Sequence, residues 1–492
     1  MRKFIFLLVL ISFALIHQNT FAQITNWGPL KRLTSGYKDS NPAFGPSGPF
    51  ATFTYKWEFL VFQRAIDTSS QICVVPLNLN GPIDTVKYLT SENYKHRNPA
   101  VTYRKISGDS IKNALAVWET NRNGKWDIYG SYYTIPTGWS APFPIDTTPG
   151  DKYTPVTMMY TANEFGVVYT KGDDIIHTRV NGTSQTTMGE INITSTLSGA
   201  CNSPLIGQPY SAPPTISFRC AKPDSTFGIY KTISNNGGAT WINLDTVTTI
   251  ANNRNVQLAP GYSNAMHIFE SNRAGKSGIY AMTTGFSTFE VIHSSTVFNY
   301  YGLKTWFYPI LIDAITSQVS AVIRKSSDST KILFGTAGST SIRDSIPLGD
   351  ASKNTTIALN NGFQSSSYYY FHVVFNKDTA AETSLYYKTR AVTITEINSV
   401  SSLVPDGFNL YQNYPNPFNP STKIKFDIPK LADINITVFD AVGREVKNIS
   451  QQSLTAGSYE YDFNGENLSS GIYYFTLTSG DFKKTVKMLL MK

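Results

Sequence analysis

What the chain lacks narrows its reading first. Between Trp27 and about Thr395 helical periodicity is almost absent, which points away from helices and toward many short strands. Charged residues are only 15% of the chain and no polybasic run occurs, so a net charge of +8 is spread thinly and no nucleic-acid partner is expected. Beyond residue 22 no run of about 18 apolar residues occurs, so no transmembrane helix is expected. Catalytic signatures are missing too: there is no Gly-x-Ser-x-Gly elbow, His-Glu-x-x-His, EF-hand loop or P-loop. His96, His177, His267, His293 and His372 lie singly, without metal-ligand spacing. Asp173 and Asp174 are adjacent, and in a strand they point to opposite faces and cannot share a substrate. No catalytic residue, metal or cofactor is therefore assigned, and a structural calcium is left open.

Cysteine is scarce. Cys201 and Cys220 flank the turn-rich GQPYSAPP stretch, which places them opposite each other across a hairpin, as a disulfide or as two buried thiols. Cys73, in the apolar run ICVV, reads as a core residue.

What is present begins with a leader. Arg2 and Lys3 precede an apolar run from Phe4 to Ile16 and then Thr20-Phe21-Ala22, the layout of a secretory signal peptide over residues 1–22. Cleavage there removes two positive charges, leaving +6, and leaves Gln23 first, with no cysteine for a lipid anchor. Tyr and Phe, 29 each, suit strands.

From residue 23 to 397 the chain repeats. NYKHRNPAV nearly repeats GYKDSNPAF, and Pro42, Pro99, Pro155 and Pro204 are 57, 56 and 49 residues apart. Pro309 lies 105 residues further on, with an intermediate copy near Val256. LAVWETNRNGKWDIYGSYY aligns with MHIFESNRAGKSGIYAMTT, and weaker versions bring the units to seven. Four-stranded units of about 50 residues that cannot bury both faces alone predict an all-β, seven-bladed β-propeller, six to eight blades being possible. The seventh unit lacks a fourth strand, and the GPLKRLT strand at residues 28–34 is expected to supply it.

The Ser/Thr-Asn-Arg-x-Gly-x-x-x-Ile-Tyr text at residues 120–129 and 271–280 resembles the blade repeat of TolB-like propellers. SNNGGATW at 234–241 resembles an Asp-box of sialidase and BNR-repeat propellers, with Asn236 in the Asp position. That resemblance implies a structural turn for Asn236 and Trp241. A sialidase would require an arginine triad, for which Arg97, Arg122, Arg219 and Arg273 are available. Its Phe-Arg-Ile-Pro motif is absent, since Phe218-Arg219 runs into Cys220.

The loops of a propeller's ligand face would carry Tyr37, Lys38, Asp39, Tyr94, Lys95, His96, Arg97, Asp151, Lys152 and Tyr153, with Glu119, Arg122, Glu270 and Arg273 from the polar turns. Aromatic faces, carboxylates and cations together suit a polar ligand, a glycan or a protein. The same residues suit solvated corners of a repeat better than a defined site.

After a Ser-rich linker at 398–408, residues 409–492 read as a small immunoglobulin-like β-sandwich. Ile434, Ile436 and Val438 alternate with Asn435, Thr437 and Phe439, and Gly443 sits in a short turn. Pro415, Pro417 and Pro420 predict an extended lead-in. The YPNPF box (Tyr414, Pro415, Asn416, Pro417, Phe418), the D-x-x-G-R-E-V turn with Asp440 and Gly443, the L-S-S-G-I-Y-Y segment with Gly471, and the closing K-M-L-L-M-K from Lys487 together resemble the type A C-terminal sorting domain of the type IX secretion system. This implies the secretion machinery as partner and export through the periplasm to the surface or medium of a Gram-negative bacterium. The expectation is a secreted or surface propeller acting as a non-catalytic binding module for a glycan or protein. The alternatives are a sialidase-like glycoside hydrolase and a purely structural surface protein.

Overall fold

The computed structural model describes residues 29–45, 58–78, 81–82, 84–105, 111–208, 213–260, 265–273, 277–283, 289–295, 299–307, 318–325, 330–336, 344–349, 356–364, 368–378, 382–393, 397–401, 404–430, 432–454, 456–466 and 468–492. The leader and Pro309 lie outside them. One compact unit spans Asn26–Ala391, and a second includes Val392–Lys492. All the regular structure described is β.

In the larger unit strands follow one another antiparallel, as short polar turns between apolar runs require. The second sheet starts at His96–Lys105, the third at Lys152–Met159, the fourth at Cys201–Gly207, the fifth at Asn253–Pro260 and the sixth at Asn299–Phe307. A nine-stranded sheet combines the earliest strands, from Lys38–Phe44 onward, with the latest, Ile357–Gln364, Tyr368–Asp378 and Thr383–Thr393, through one parallel pairing of Lys38 with Thr383. We call these two halves the first and seventh sheets. The expected N-terminal strand is there: Lys31 and Arg32 pair with Tyr387 and Tyr386, and Leu33 N donates to Leu385 O at 2.8 Å.

Second strands such as Glu58–Ile66 and Ile111–Thr120 are buried on both faces, which explains their unbroken apolar runs. Successive residues serve opposite neighbours. Phe59 and Val61 pack with Val101, Ala116 and Trp118 of the second sheet, whereas Leu60 and Phe62 pack with Val374, Leu385 and Tyr387 of the seventh. Leu115 and Val117 in turn meet Phe165 and Val167 of the third. The outermost strand Thr186–Asn192 is almost wholly exposed and polar. The first strand of each sheet lies against the first strand of the next, from Lys38–Phe44 through Ile357–Gln364, and Ile357–Gln364 lies against Lys38–Phe44.

Every first strand carries a β-bulge. Five of these bulges hold a non-glycine residue at positive φ: Asn41 at 50°, Asn98 at 51°, Thr154 at 53°, Ser203 at 56° and Asn255 at 47°. Asparagine tolerates the left-handed region better than most residues, and a bulge leaves a ladder position where the missing N–H of proline costs little. The repeated Asn-Pro text is this bulge. The copy expected near Val256 is found at Asn255. The next is corrected from Pro309 to Gly302 and Leu303, where the register shifts in Asn299–Phe307; a Gly-Leu pair carries no Asn-Pro signal.

Cys201 and Cys220 sit opposite each other in register and form a disulfide, while Cys73 is fully buried, its thiol pushed up to about 12 by desolvation.

In the second unit Ile397–Ser401, Gly457–Asn464, Ser421–Ile428 and Asn409–Leu410 form one sheet, and Glu445–Leu454, Ala432–Asp440, Gly471–Ser479 and Phe482–Leu490 another. Residues 397–401, read from sequence as the end of the propeller and the start of a linker, instead pair along Gly457–Asn464 and cover an edge that would otherwise be open. Inward residues Ile424, Phe426, Tyr459 and Tyr461 meet Ile436, Val438, Phe475 and Leu477 in one core.

The YPNPF box is a bent strap where an extended lead-in was expected, because it has to reach both sheets. Tyr414 exchanges backbone hydrogen bonds with Lys423 of the first sheet at 3.0 Å. Phe418 N donates to Leu489 O at 2.9 Å, and Asn416 Oδ1 accepts from Leu489 N at 2.9 Å, in the second. The Phe418 ring, 2% exposed, packs edge-on to Phe463. In the D-x-x-G-R-E-V turn Gly443 has φ 82°, and the Asp440 carboxylate accepts from Val442 N and Arg444 N at 3.0 and 2.9 Å.

Two stability measurements check this architecture. Replacing both Cys201 and Cys220 with alanine should lower unfolding free energy by about 2–4 kcal/mol, and reductant should do the same to the native chain only. Phe418→Ala should cost about 3–5 kcal/mol in denaturant titrations that follow the smaller unit.

Candidate functional site

The bulges displace backbone amides from their own ladders, and at three of them the neighbouring sheet takes up the amide. Glu119, on the second strand of the second sheet and fully buried, accepts from Arg97 Nε at 2.6 Å, Asn98 Nδ2 at 2.8 Å and the Thr154 amide of the third sheet at 2.7 Å. In the fifth sheet Glu270 accepts from Asn255 Nδ2 at 2.7 Å and from the Leu303 amide of the sixth at 3.4 Å, and its other oxygen forms an ion pair with Arg254 Nε at 2.9 Å. Asn41 N donates to Thr356 Oγ1 at 3.0 Å, linking the first sheet to the seventh. In the first sheet the pair is reversed: buried Asp39 is held by Arg64 at 2.9 Å through Nε and Nη2.

The Glu-Thr/Ser-Asn-Arg text is accounted for in the same terms. Asn121 Oδ1 accepts from Lys95 N at 2.7 Å, and Asn272 Oδ1 accepts from Asn252 N at 2.9 Å. Arg122 lies 4.7 Å from the Tyr129 ring and pairs with Glu92. Arg273 lies 5.3 Å from the Tyr280 ring and donates to Thr248 Oγ1 at 2.9 Å. Each arginine therefore stacks on the tyrosine that closes its own motif. In SNNGGATW, Asn236 Oδ1 accepts from Thr240 N at 2.9 Å, while Gly237 and Gly238 take φ 64° and 81°.

The remaining expected residues divide by exposure. Tyr37, Lys38, Tyr94, Lys95 and Asp151 are exposed, and Tyr153 is half-buried. Tyr37 stacks 4.0 Å from the Arg64 guanidinium, and Arg97 lies 3.7 Å over Trp126. Lys152 is buried with its ammonium 3.1 Å from Asp127 and 3.5 Å from Asp146. Of the four arginines a sialidase could use, Arg97, Arg122 and Arg273 are engaged as above, and Arg219 donates to Asn202 Oδ1 at 2.6 Å. Ser217 Oγ lies 2.9 Å from His267 Nε2, but both side chains are buried, which closes this pair to substrate.

A groove unforeseen from sequence opens between the first and second sheets, about 740 Å³ in volume. Phe59, Val74 and Leu89 form its floor, Tyr133 and Trp139 one wall, and Asp84, Lys87 and Tyr88 the other. The Phe59 ring centroid is 4.9 Å from Tyr133 and 5.0 Å from Trp139. The available signal was the Gly138-Trp139 pair, a glycine beside a large aromatic on a short outer strand.

Residues 412–491 match the secretion system C-terminal sorting domain, so the type IX tail expected over 409–492 is present. Such a tail implies secretion to the cell surface or extracellular space, and among the described residues no helix is long and apolar enough to cross a membrane. No curated protein matches the chain. Among solved structures it is similar to a protein of unknown function from Dyadobacter fermentans, at 9% identity and TM-score 0.44, covering 75% of this chain and 99% of that one. A Hadza microbial sialidase matches at 13% identity and TM-score 0.41, over 69% and 74%. PorZ, a surface component of the type-IX secretion system of Porphyromonas gingivalis, matches at 10% identity and TM-score 0.32, over 89% and 75%.

The staples predict where stability resides. Glu119→Ala, which strands Arg97 and the Thr154 amide, should cost about 3–5 kcal/mol in urea unfolding, whereas Tyr94→Ala, at an exposed ring, should stay within about 0.5 kcal/mol. Burial lowers three histidines: His96, beside Glu92 and Arg122, to about 4; His177, beside Arg179, to about 3; and His267, beside Lys231, to about 3. The unfolded chain takes up these protons first, near pH 6.5. Stability should therefore be full above about pH 6.5 and fall as the pH drops toward 4. Glu270, whose pKa burial raises, works the other way. Urea midpoints at pH 7.5 and 5.0 check the sign, and His267→Gln should flatten the slope.

Proposed function

We propose that the chain is a seven-bladed β-propeller that the type IX secretion system exports by its C-terminal tail, and that it works outside the cell by binding rather than by catalysis. The blade count is supported by the cyclic succession of first strands, each against the next and the last against the first, and by the N-terminal strand that completes the seventh sheet. Binding is supported by one observation above the others: five of the buried carboxylates that a hydrolase could use, Asp39, Glu119, Asp127, Asp146 and Glu270, each have a cationic partner within 3.5 Å. A carboxylate held this way is already used as a hydrogen-bond acceptor and kept from substrate, so it serves poorly as acid, base or nucleophile. The exposed residues of the same end, Tyr37, Lys38, Tyr94, Lys95, Asp151 and part of Arg97, remain available for a ligand.

Export and activity separate experimentally. In a bacterium with type IX secretion, deletion of residues 412–492 should leave the protein in the periplasm, whereas the full chain reaches the surface or medium; equal export of both would sink the tail's role. Incubated with sialosides and a panel of polysaccharides, the full chain should retain a ligand without releasing reducing ends or free sialic acid. Turnover abolished by removal of one of the carboxylates above would replace this reading with the glycosidase one.

A further inference from the structure

The groove between the first and second sheets has features that its packing does not require. Its floor is core, but its walls carry large aromatic side chains that leave a cavity between them. Tyr133 and Trp139 come from the second sheet, on Asp127–Thr134 and Gly138–Trp139, and face Lys87 and Tyr88, on the short outer strand of the first. The Tyr133 and Trp139 rings are tilted 54° to each other, and both stand at 59° or more to Phe59, so the walls present differently directed faces. Tyr88 is 44% exposed, yet it is held in place: its hydroxyl accepts from Arg64 Nη1 at 3.1 Å, on the guanidinium that Asp39 already fixes. The rim is therefore preorganised by the ion pair of the first sheet.

Polar groups converge on this aromatic cradle. Lys87 Nζ and Asp84 Oδ2 pair at 2.9 Å along one side of the rim, leaving its two charges mutually neutralised. The Tyr133 hydroxyl and the Trp139 indole N–H have no hydrogen-bond partner among the described residues. A ligand suited to these walls has flat apolar faces bordered by hydroxyls, and it brings no net charge that would have to break the Asp84–Lys87 pair. Pyranose rings have that form: axial C–H groups lie on aromatic faces while equatorial hydroxyls meet a carboxylate, an ammonium and ring-borne donors at the edges. The volume, about 740 Å³, falls within the range of small-ligand pockets.

We propose that this groove is a binding site for an uncharged pyranose glycan. The assignment rests on reading the chain as a binding protein, and it adds the ligand class and the place. Trp139 and Tyr88 supply the stacking faces, and Asp84, Lys87 and the Tyr133 hydroxyl orient the sugar hydroxyls.

The test uses the full chain against immobilised neutral oligosaccharides of glucan, xylan, mannan and galactan, with sialylated and uronate-containing oligosaccharides alongside, and reads both affinity and reducing-end release. A neutral oligosaccharide should be retained uncleaved. Tyr88→Ala and Trp139→Ala should each weaken that retention by about ten-fold, and Ile250→Ala, on an exposed residue remote in sequence, should leave it unchanged. Trp139 also packs on Phe59, so the thermal midpoint of each variant is measured; if Trp139→Ala unfolds, Tyr88→Ala, at an exposed rim position, is the deciding variant. Retention that survives Tyr88→Ala overturns the groove while leaving the binding reading intact. Selective retention of the acidic oligosaccharides overturns the assignment of an uncharged ligand, and so does the absence of any neutral ligand. Cleavage overturns the binding reading itself.

Discussion

A backbone amide that a bulge turns out of its own ladder needs an acceptor, and for Asn41, Thr154 and Leu303 the neighbouring sheet provides one. A buried amide without a partner costs about 1–3 kcal/mol, which is what these three contacts avoid. Where Glu119 receives the Thr154 amide and Glu270 the Leu303 amide, the carboxylate also holds an arginine and an asparagine of its own sheet. Sheet is thereby tied to sheet by polar contacts along the first strands, as the apolar layers tie them further out.

That arrangement constrains what the protein can do. Repetition of a structural device fills the loops with carboxylates, cations and aromatics, the same residue types that build active sites. Their partners decide between the two. Arg122 stacked on Tyr129 and Arg273 stacked on Tyr280 hold strand ends together, and Asp39 holds Arg64. Among the described residues, one place where aromatic side chains stand around an unfilled space lies elsewhere, at the groove between the first and second sheets.

The second unit shows the same economy of means. Its YPNPF box looks like flexible, proline-rich text, yet Tyr414 is bonded to one sheet and Phe418 to the other, with the Phe418 ring in the shared core. The box therefore helps to close the sandwich, while the Tyr414 side chain, 81% exposed, stays outside.

Much of this was legible in the sequence, because it depends on interactions between residues close in the chain or repeated at a fixed period. The all-β class, the Asn-Pro repeat, the Asp-box turn, the facing cysteines and the sorting tail all have local signals: alternation, turn residues and recurrent text. The role of Pro309, the course of the YPNPF box and the extent of the linker did not follow, since Gly302-Leu303 can bulge without Asn-Pro and residues 397–401 become a strand only when Gly457–Asn464 offers an edge. Strands, turns and their period are properties of neighbouring residues, and the order of amino acids is enough to set them. Which charged groups are spent on one another, and which aromatic rings surround a cavity, emerged only once the sheets were packed. Both depend on distances between sheets, and residues far apart in the chain set those distances.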